Sequence, residues 1–209
     1  MNLAHSGGLD RRSYSDWSCL MGNPHYKDEG GEMCFNSAKN FQLGWYNDHR
    51  FATGVNGGTS WSGTIIGISE YKNNPNLRPV VVKVESGQST DLFVGFNRAT
   101  GVNKDTADAR DQVTVTQAGS DGIGYSQSYL MAKLSQGQSF VVPNWRRSGF
   151  DLTIHVKTID LKASPAYADI IMTFGDSRDP PTTKNPTRQP SKMPTNKPTR
   201  QPSKVSRIL

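Results

Sequence analysis

Between Trp61 and Phe174, apolar side chains recur at every second position: Val80, Val82 and Val84; Leu92, Val94 and Phe96; Val113 and Val115; Leu152, Ile154 and Val156; Ala168, Ile170, Met172 and Phe174. Strict alternation turns one face of an extended chain toward a core and the other toward solvent, so each run reads as a β-strand. Turn-forming residues bound the runs, as in Asn73-Asn74-Pro75-Asn76 and Ser120-Asp121-Gly122. With Thr64 to Ser69, Ser128 to Leu134 and Ser139 to Val142 added, about eight strands follow one another without a helical crossover. That spacing predicts an antiparallel β-sandwich over residues 61–175.

Residues 1–60 show no such alternation. They are rich in Gly, Asn, Asp and Ser and contain both cysteines. One helix is expected there, from Cys34 to Leu43, because Ala38 and Phe41 fall at helical spacing and Gly44 provides a C-terminal stop. It is expected to pack beneath the structure to which residues 1–33 belong. Beyond Gly175 the pattern changes again. Residues 176–209 hold 7 of the 12 prolines, and Pro186 to Lys192 (Pro-Thr-Arg-Gln-Pro-Ser-Lys) recurs as Pro198 to Lys204. Prolines at 186, 190, 194, 198 and 202 give a period of four, which excludes the Gly-every-third pattern of collagen. Such a segment has no apolar face to bury, and reads as a disordered Pro/Thr/Ser-rich tail, either an O-glycosylated stalk or an unmodified linker.

Charge divides at the same place. The tail carries eight Lys/Arg against two Asp, while the remaining residues carry 16 against 16, so the net charge of +6 belongs to the tail. A nucleic-acid-binding face on the folded part is not expected, since its basic residues are balanced by acids. No stretch approaches the ~18 uncharged apolar residues of a membrane span, and the N-terminus lacks the basic and apolar regions of a signal peptide. Neither a membrane segment nor a leader is therefore expected within these residues.

Three blocks carry the candidate chemistry. The first is Asn2-Leu3-Ala4-His5-Ser6-Gly7, the second Trp17-Ser18-Cys19-Leu20-Met21-Gly22-Asn23, and the third runs from Met33 to Tyr46 (Met-Cys-Phe-Asn-Ser-Ala-Lys-Asn-Phe-Gln-Leu-Gly-Trp-Tyr). In this order they resemble the gametolysin family of secreted metzincin zinc endopeptidases. The likeness continues through Phe96-Asn97-Arg98-Ala99-Thr100-Gly101 and Tyr129-Leu130-Met131-Ala132-Lys133-Leu134. The resemblance implies that residues 1–60 are the C-terminal remnant of a metzincin α/β catalytic domain, followed by the sandwich as an accessory domain.

Metzincins bind zinc through H-E-x-x-H-x-x-G-x-x-H, with the Glu as base, and turn the chain at a Met beneath the metal. The resemblance makes His5 the third zinc ligand and Met21 the Met-turn residue, with Asn2 at the position of the Gly. Asn tolerates the left-handed backbone that such a turn wants. The H-E-x-x-H segment itself is absent. His25, His49 and His155 are isolated, and none is followed by Glu. One imidazole without a base cannot run the reaction, so the chain alone is expected to be inactive. The simplest account is a truncated chain whose Met1 is an internal helix residue, the signal peptide lying in the missing part.

Cys19 and Cys34 suit a disulfide in a secreted protein, closing a loop of about 15 residues for roughly 3 kcal/mol; two reduced, buried thiols are the alternative. Asp28, Glu29 and Glu32 lack the spacing of a calcium loop and read as a solvated loop. Arg146 and Arg147 beside Trp145 could grip a sugar or an anionic wall polymer, while Trp17, Trp45 and Trp61 read as packing residues. There is no phosphate-binding Gly-rich loop and no G-x-S-x-G elbow.

Two functions follow. One is part of a zinc-dependent endopeptidase, extracellular or in the cell wall, acting on wall or matrix glycoproteins by attack of zinc-activated water on the peptide bond. The other is a secreted, non-catalytic β-sandwich for binding or adhesion on a Pro-rich stalk.

Overall fold

The computed structural model describes residues 3–23, 31–54, 60–119 and 126–175. Their elements follow in the order β1 (Ser6–Gly7), α1 (Ser37–Leu43), β2 (Arg50–Gly54), β3 (Trp61–Ile66), β4 (Val81–Glu85), β5 (Thr90–Asn97), β6 (Gln112–Gly119), β7 (Ser128–Leu134), β8 (Ser139–Val142), β9 (Asp151–Asp160) and β10 (Tyr167–Gly175). The chain is mainly β. One sheet has six strands in the order β1-β7-β6-β5-β4-β2, and the other has four in the order β3-β10-β9-β8.

The alternating residues do what their spacing predicts. Val82, Val84, Leu92, Val94, Phe96, Val113 and Val115 of the larger sheet meet Ile65, Leu152, Ile154, Val156, Ala168, Ile170 and Met172 of the smaller one in a single apolar core. Burying such side chains is worth about 1.5–3 kcal/mol each before entropy is counted, which is why one inner face per strand suffices to fix register. The expected strands from Trp61 onward are all present as β3 to β10.

Helix α1 is shorter than the sequence predicts. It starts at Ser37 because Asn36, in extended conformation, caps it: the Asn36 side chain accepts from the Lys39 N–H. It stops at Gly44, whose φ of 68° is left-handed and whose N–H donates to the Phe41 carbonyl. It covers the outer face of the larger sheet, to which β1 also belongs, and there Ala38 and Phe41 pack with Val80, Val81, Phe93 and Ala118. Strand β5 is therefore covered on both faces, and Phe93 on the outer one is fully buried, with its ring centroid 5.2 Å from that of Phe41.

Every named strand pair within residues 61–175 is antiparallel, as the alternation predicts. The larger sheet is mixed because residues 1–60 add a strand at each end of it: β1 runs parallel to β7, and β2 parallel to β4. Both parallel strands come from residues 1–60, which reach the sheet edges from outside the hairpin succession. Residues Met1–Asp179 form one unit, and the chain divides before Pro180. The tail from 176, with its expected disorder, lies outside the described residues, as do Asn2, His25, Asp28 and Glu29. No helix among the described residues is long and apolar enough to cross a membrane.

Candidate functional site

The sheet edge formed by β1 positions His5. The His5 carbonyl accepts from the Ser128 N–H at 3.2 Å, and the next residue, Ser6, donates its own N–H to the Met21 carbonyl at 2.9 Å. The strand that carries His5 is thus held on one side by β7 and on the other by the turn that contains Met21. That turn closes on itself: Gly22 N–H donates to the Cys19 carbonyl at 2.8 Å and Asn23 N–H to the Asp16 carbonyl at 3.2 Å. Only Gly fits at position 22, where a Cβ would stand 1.9 Å from the Asp16 carbonyl oxygen.

Asp16 is the fixed point of this arrangement. Its carboxylate is fully buried, and an ionised carboxylate away from water needs several donors. It has them. Oδ1 accepts from the Ser18 N–H at 3.0 Å and the Ser18 hydroxyl at 2.6 Å; Oδ2 accepts from the Ser6 hydroxyl at 2.8 Å and the Asn36 side-chain amide at 3.0 Å. Asn36 also reaches Ser6 Oγ at 2.7 Å and Ser128 Oγ at 3.1 Å. One buried knot therefore ties four segments together: β1, the Met21 turn, the cap of α1 and the start of β7. Asp16, Ser6 and Asn36 stand inside or beside the blocks that the resemblance quotes, but their joint role is not readable from spacing, and Ser128 is 122 residues from Ser6.

The His5 ring stacks against Tyr14 with centroids 3.9 Å apart, and the Tyr14 hydroxyl lies 2.6 Å from Nε2. Its Nδ1 is buried without a hydrogen-bond partner. Tyr14 is half exposed and holds a left-handed φ of 65°. The residues present do not fit a zinc ion by themselves. No group of three or more His, Cys, Asp or Glu among the described residues is arranged to hold a metal, and one nitrogen of the single candidate imidazole is engaged by a phenol.

The two cysteines are brought near each other, with the Leu20 N–H donating to the Cys34 carbonyl at 3.1 Å. Both are free thiols in the structure, so the expected disulfide is not formed there. Cys19 is buried against Asn36, whose N–H lies 3.3 Å from Sγ. Burial first, then the Asp16 charge, pushes its thiol up to about 12; burial alone pushes Cys34 to about 11. Neither is a reactive thiolate at neutral pH. Lys39 is also fully buried, donating to the Ser126 carbonyl at 2.6 Å and to Gln42 Oε1 at 3.2 Å, and burial brings its ammonium down to about 8.

The other candidates lie elsewhere. Glu32 pairs with Lys104 at 3.1 Å on the surface. Trp145 sits in the core between the sheets, while Arg146 and Arg147 follow it in a turn with left-handed φ values of 58° and 57°. Trp45 is 53% exposed, against the packing role expected of it. His155 Nδ1 lies 2.9 Å from Ser139 Oγ, and His49 is buried beside Asp48. Comparison of the chain with family models, curated proteins and solved structures finds no match.

Proposed function

We propose that this chain is part of a secreted, gametolysin-like zinc metalloendopeptidase that acts on cell-wall or matrix glycoproteins. In this reading residues 1–60 are the end of a metzincin catalytic domain, which contributes His5 and the Met21 turn, and the H-E-x-x-H helix belongs to sequence outside the chain. The observation that carries it is the Ser6 N–H to Met21 carbonyl bond of 2.9 Å. It sets the residue after His5 directly against the Met-Gly turn, and the buried Asp16 carboxylate holds both. Two blocks that match a zinc-site rim in sequence order are thereby neighbours in space. No catalytic step is assigned to the chain alone, because its residues do not complete a metal site.

The contact between Tyr14 and His5 favours a second reading, a non-catalytic binding or adhesion module. A phenol on Nε2 satisfies that nitrogen without metal. The two readings separate when an H-E-x-x-H helix is joined upstream, with five residues between its last His and His5. The protease reading expects tight zinc binding by the extended protein and its loss in His5→Ala. Equal zinc binding with Ala at position 5 overturns the ligand assignment.

A further inference from the structure

His5 has one usable nitrogen. Its Nδ1 is buried, without a partner among the described residues, while its Nε2 meets the Tyr14 hydroxyl at 2.6 Å. An unprotonated imidazole nitrogen receives a proton donor, a metal ion or an electrophile at the same place, its in-plane lone pair. Tyr14 occupies that place. With its ring on the imidazole, centroids 3.9 Å apart, and its own side half exposed, Tyr14 is the layer between His5 and solvent.

The loop from Gly8 to Ser15 keeps the phenol there. The Gly8 N–H donates to Ser15 Oγ at 2.8 Å and the Arg11 N–H to the Gly8 carbonyl at 3.0 Å, so the loop is closed on itself. It also lies directly against the residues that follow His5: a Cβ on Gly7 would stand 2.8 Å from the Arg12 carbonyl oxygen, and one on Gly8 would collide with Ser15. Arg11 anchors the loop to the sheet, its guanidinium 5.2 Å from the Tyr129 ring centroid and donating to Gln117 Oε1 at 3.3 Å. The turn leaves Tyr14 at a φ of 65°, a left-handed conformation that a bulky residue keeps only where its surroundings hold it.

We propose that Tyr14 is a cap on His5, a residue that keeps metal ions and electrophiles off Nε2 unless it is moved aside. Distance decides between a cap and a co-ligand. Zinc sits about 2.0–2.1 Å from an imidazole nitrogen, and two ligands of one tetrahedral ion lie about 3.3 Å apart. An oxygen 2.6 Å from Nε2 is too close for that, so an ion and the phenol cannot share His5 as it stands. The cap goes beyond both readings of the function. Under the protease reading His5 becomes a ligand only with Tyr14 displaced, and under the non-catalytic reading Tyr14 is what keeps His5 free of metal.

Acylation of the full chain by diethylpyrocarbonate, read histidine by histidine by mass spectrometry, tests the cap. His155 serves as internal reference, because it lies between the core-facing Ile154 and Val156 and so points away from the core. Tyr14→Phe keeps the ring and removes the hydroxyl. It should raise the rate at His5 about two- to tenfold, the factor one net hydrogen bond represents, and leave His155 unchanged. Tyr14→Ala, which removes the ring as well, should raise it at least as far. Nickel ion alone should follow the same order, broadening the His5 ring-proton signals of Tyr14→Phe at a concentration about two- to tenfold below that needed for wild type. An unchanged His5 rate in Tyr14→Phe, a rise shared equally by His155, or the same nickel concentration for both proteins overturns the proposal. A failed ligand assignment shows itself elsewhere, as zinc binding by the extended protein that His5→Ala leaves intact.

Discussion

Ile154, Val94 and Met172 are fully buried between the sheets, and Asp16, Ser6 and Ser128 are as fully buried under β1. The first set is surrounded by apolar side chains from both sheets, the second by hydrogen-bond partners from four separate segments. Apolar burial is non-directional: it asks for volume and tolerates small rearrangements. A buried carboxylate asks for donors at fixed positions, and each missing donor or acceptor leaves a group unsatisfied. The sandwich is therefore what makes the chain fold, and the knot is what sets where His5 and the Met21 turn lie within that fold. Loss of one should be global, loss of the other local.

The largest effect is expected from Ile154→Ala. Its side chain has no exposure and faces the other sheet, so truncation leaves a cavity and should cost about 2–5 kcal/mol, read as an earlier denaturation midpoint of the whole unit. A midpoint shift confined to one spectroscopic probe would mean that the sheets unfold separately. Asp16→Ala should act locally, making the opening of β1 away from the Met21 turn easier by about 1–3 kcal/mol while moving the global midpoint far less, since the stranded donors of Ser6, Ser18 and Asn36 can partly turn to water.

This difference also explains what could be read from the sequence. In residues 61–175 one face of every strand is buried against the other sheet, which writes a period of two into Val80 to Phe174. The apolar neighbours Val80 and Val81, and Phe93 among the inward residues of β5, break that period because α1 covers the second face. The C-terminal stop of α1 was legible as Gly44, although its Asn36 cap and its packing partner were not. By contrast β1 is Ser-Gly, two residues long, and β2 begins at an exposed Arg50; both are held by parallel backbone pairing that leaves no side-chain pattern. The order of the His5 and Met21 blocks hinted at neighbours. The Ser6, Asn36 and Ser128 contacts that make them neighbours depend on positions up to 122 residues apart, where no local pattern exists.

A smaller effect separates the two regions by pH. Lys39 lies at the seam of the knot and α1, and burial lowers it to about 8 from the ordinary 10.5. The unfolded chain then holds more protons than the folded one between those values, so this residue's contribution to stability rises with pH across the window. Cys19 and Cys34 act in the opposite sense: raised to about 12 and 11 from 9.0, they lower stability once pH passes the ordinary thiol value. Lys39→Met removes only the first contribution. Between about pH 7 and 9 the wild-type melting temperature should therefore gain on that of Lys39→Met. Parallel curves would show that the buried ammonium carries no penalty.

The central claim is that Asp16 holds the His5 strand against the Met21 turn. Native-state amide hydrogen exchange of wild type and Asp16→Ala tests it most directly, read at the Ser6 N–H, which donates to the Met21 carbonyl, and at Val94 and Ile154 between the sheets. The account predicts that Asp16→Ala lowers protection at Ser6 and Gly22 by roughly ten- to a hundredfold, while core amides fall only by the smaller global loss. Unchanged protection at Ser6, or an equal fall at Ser6 and Ile154, would contradict it.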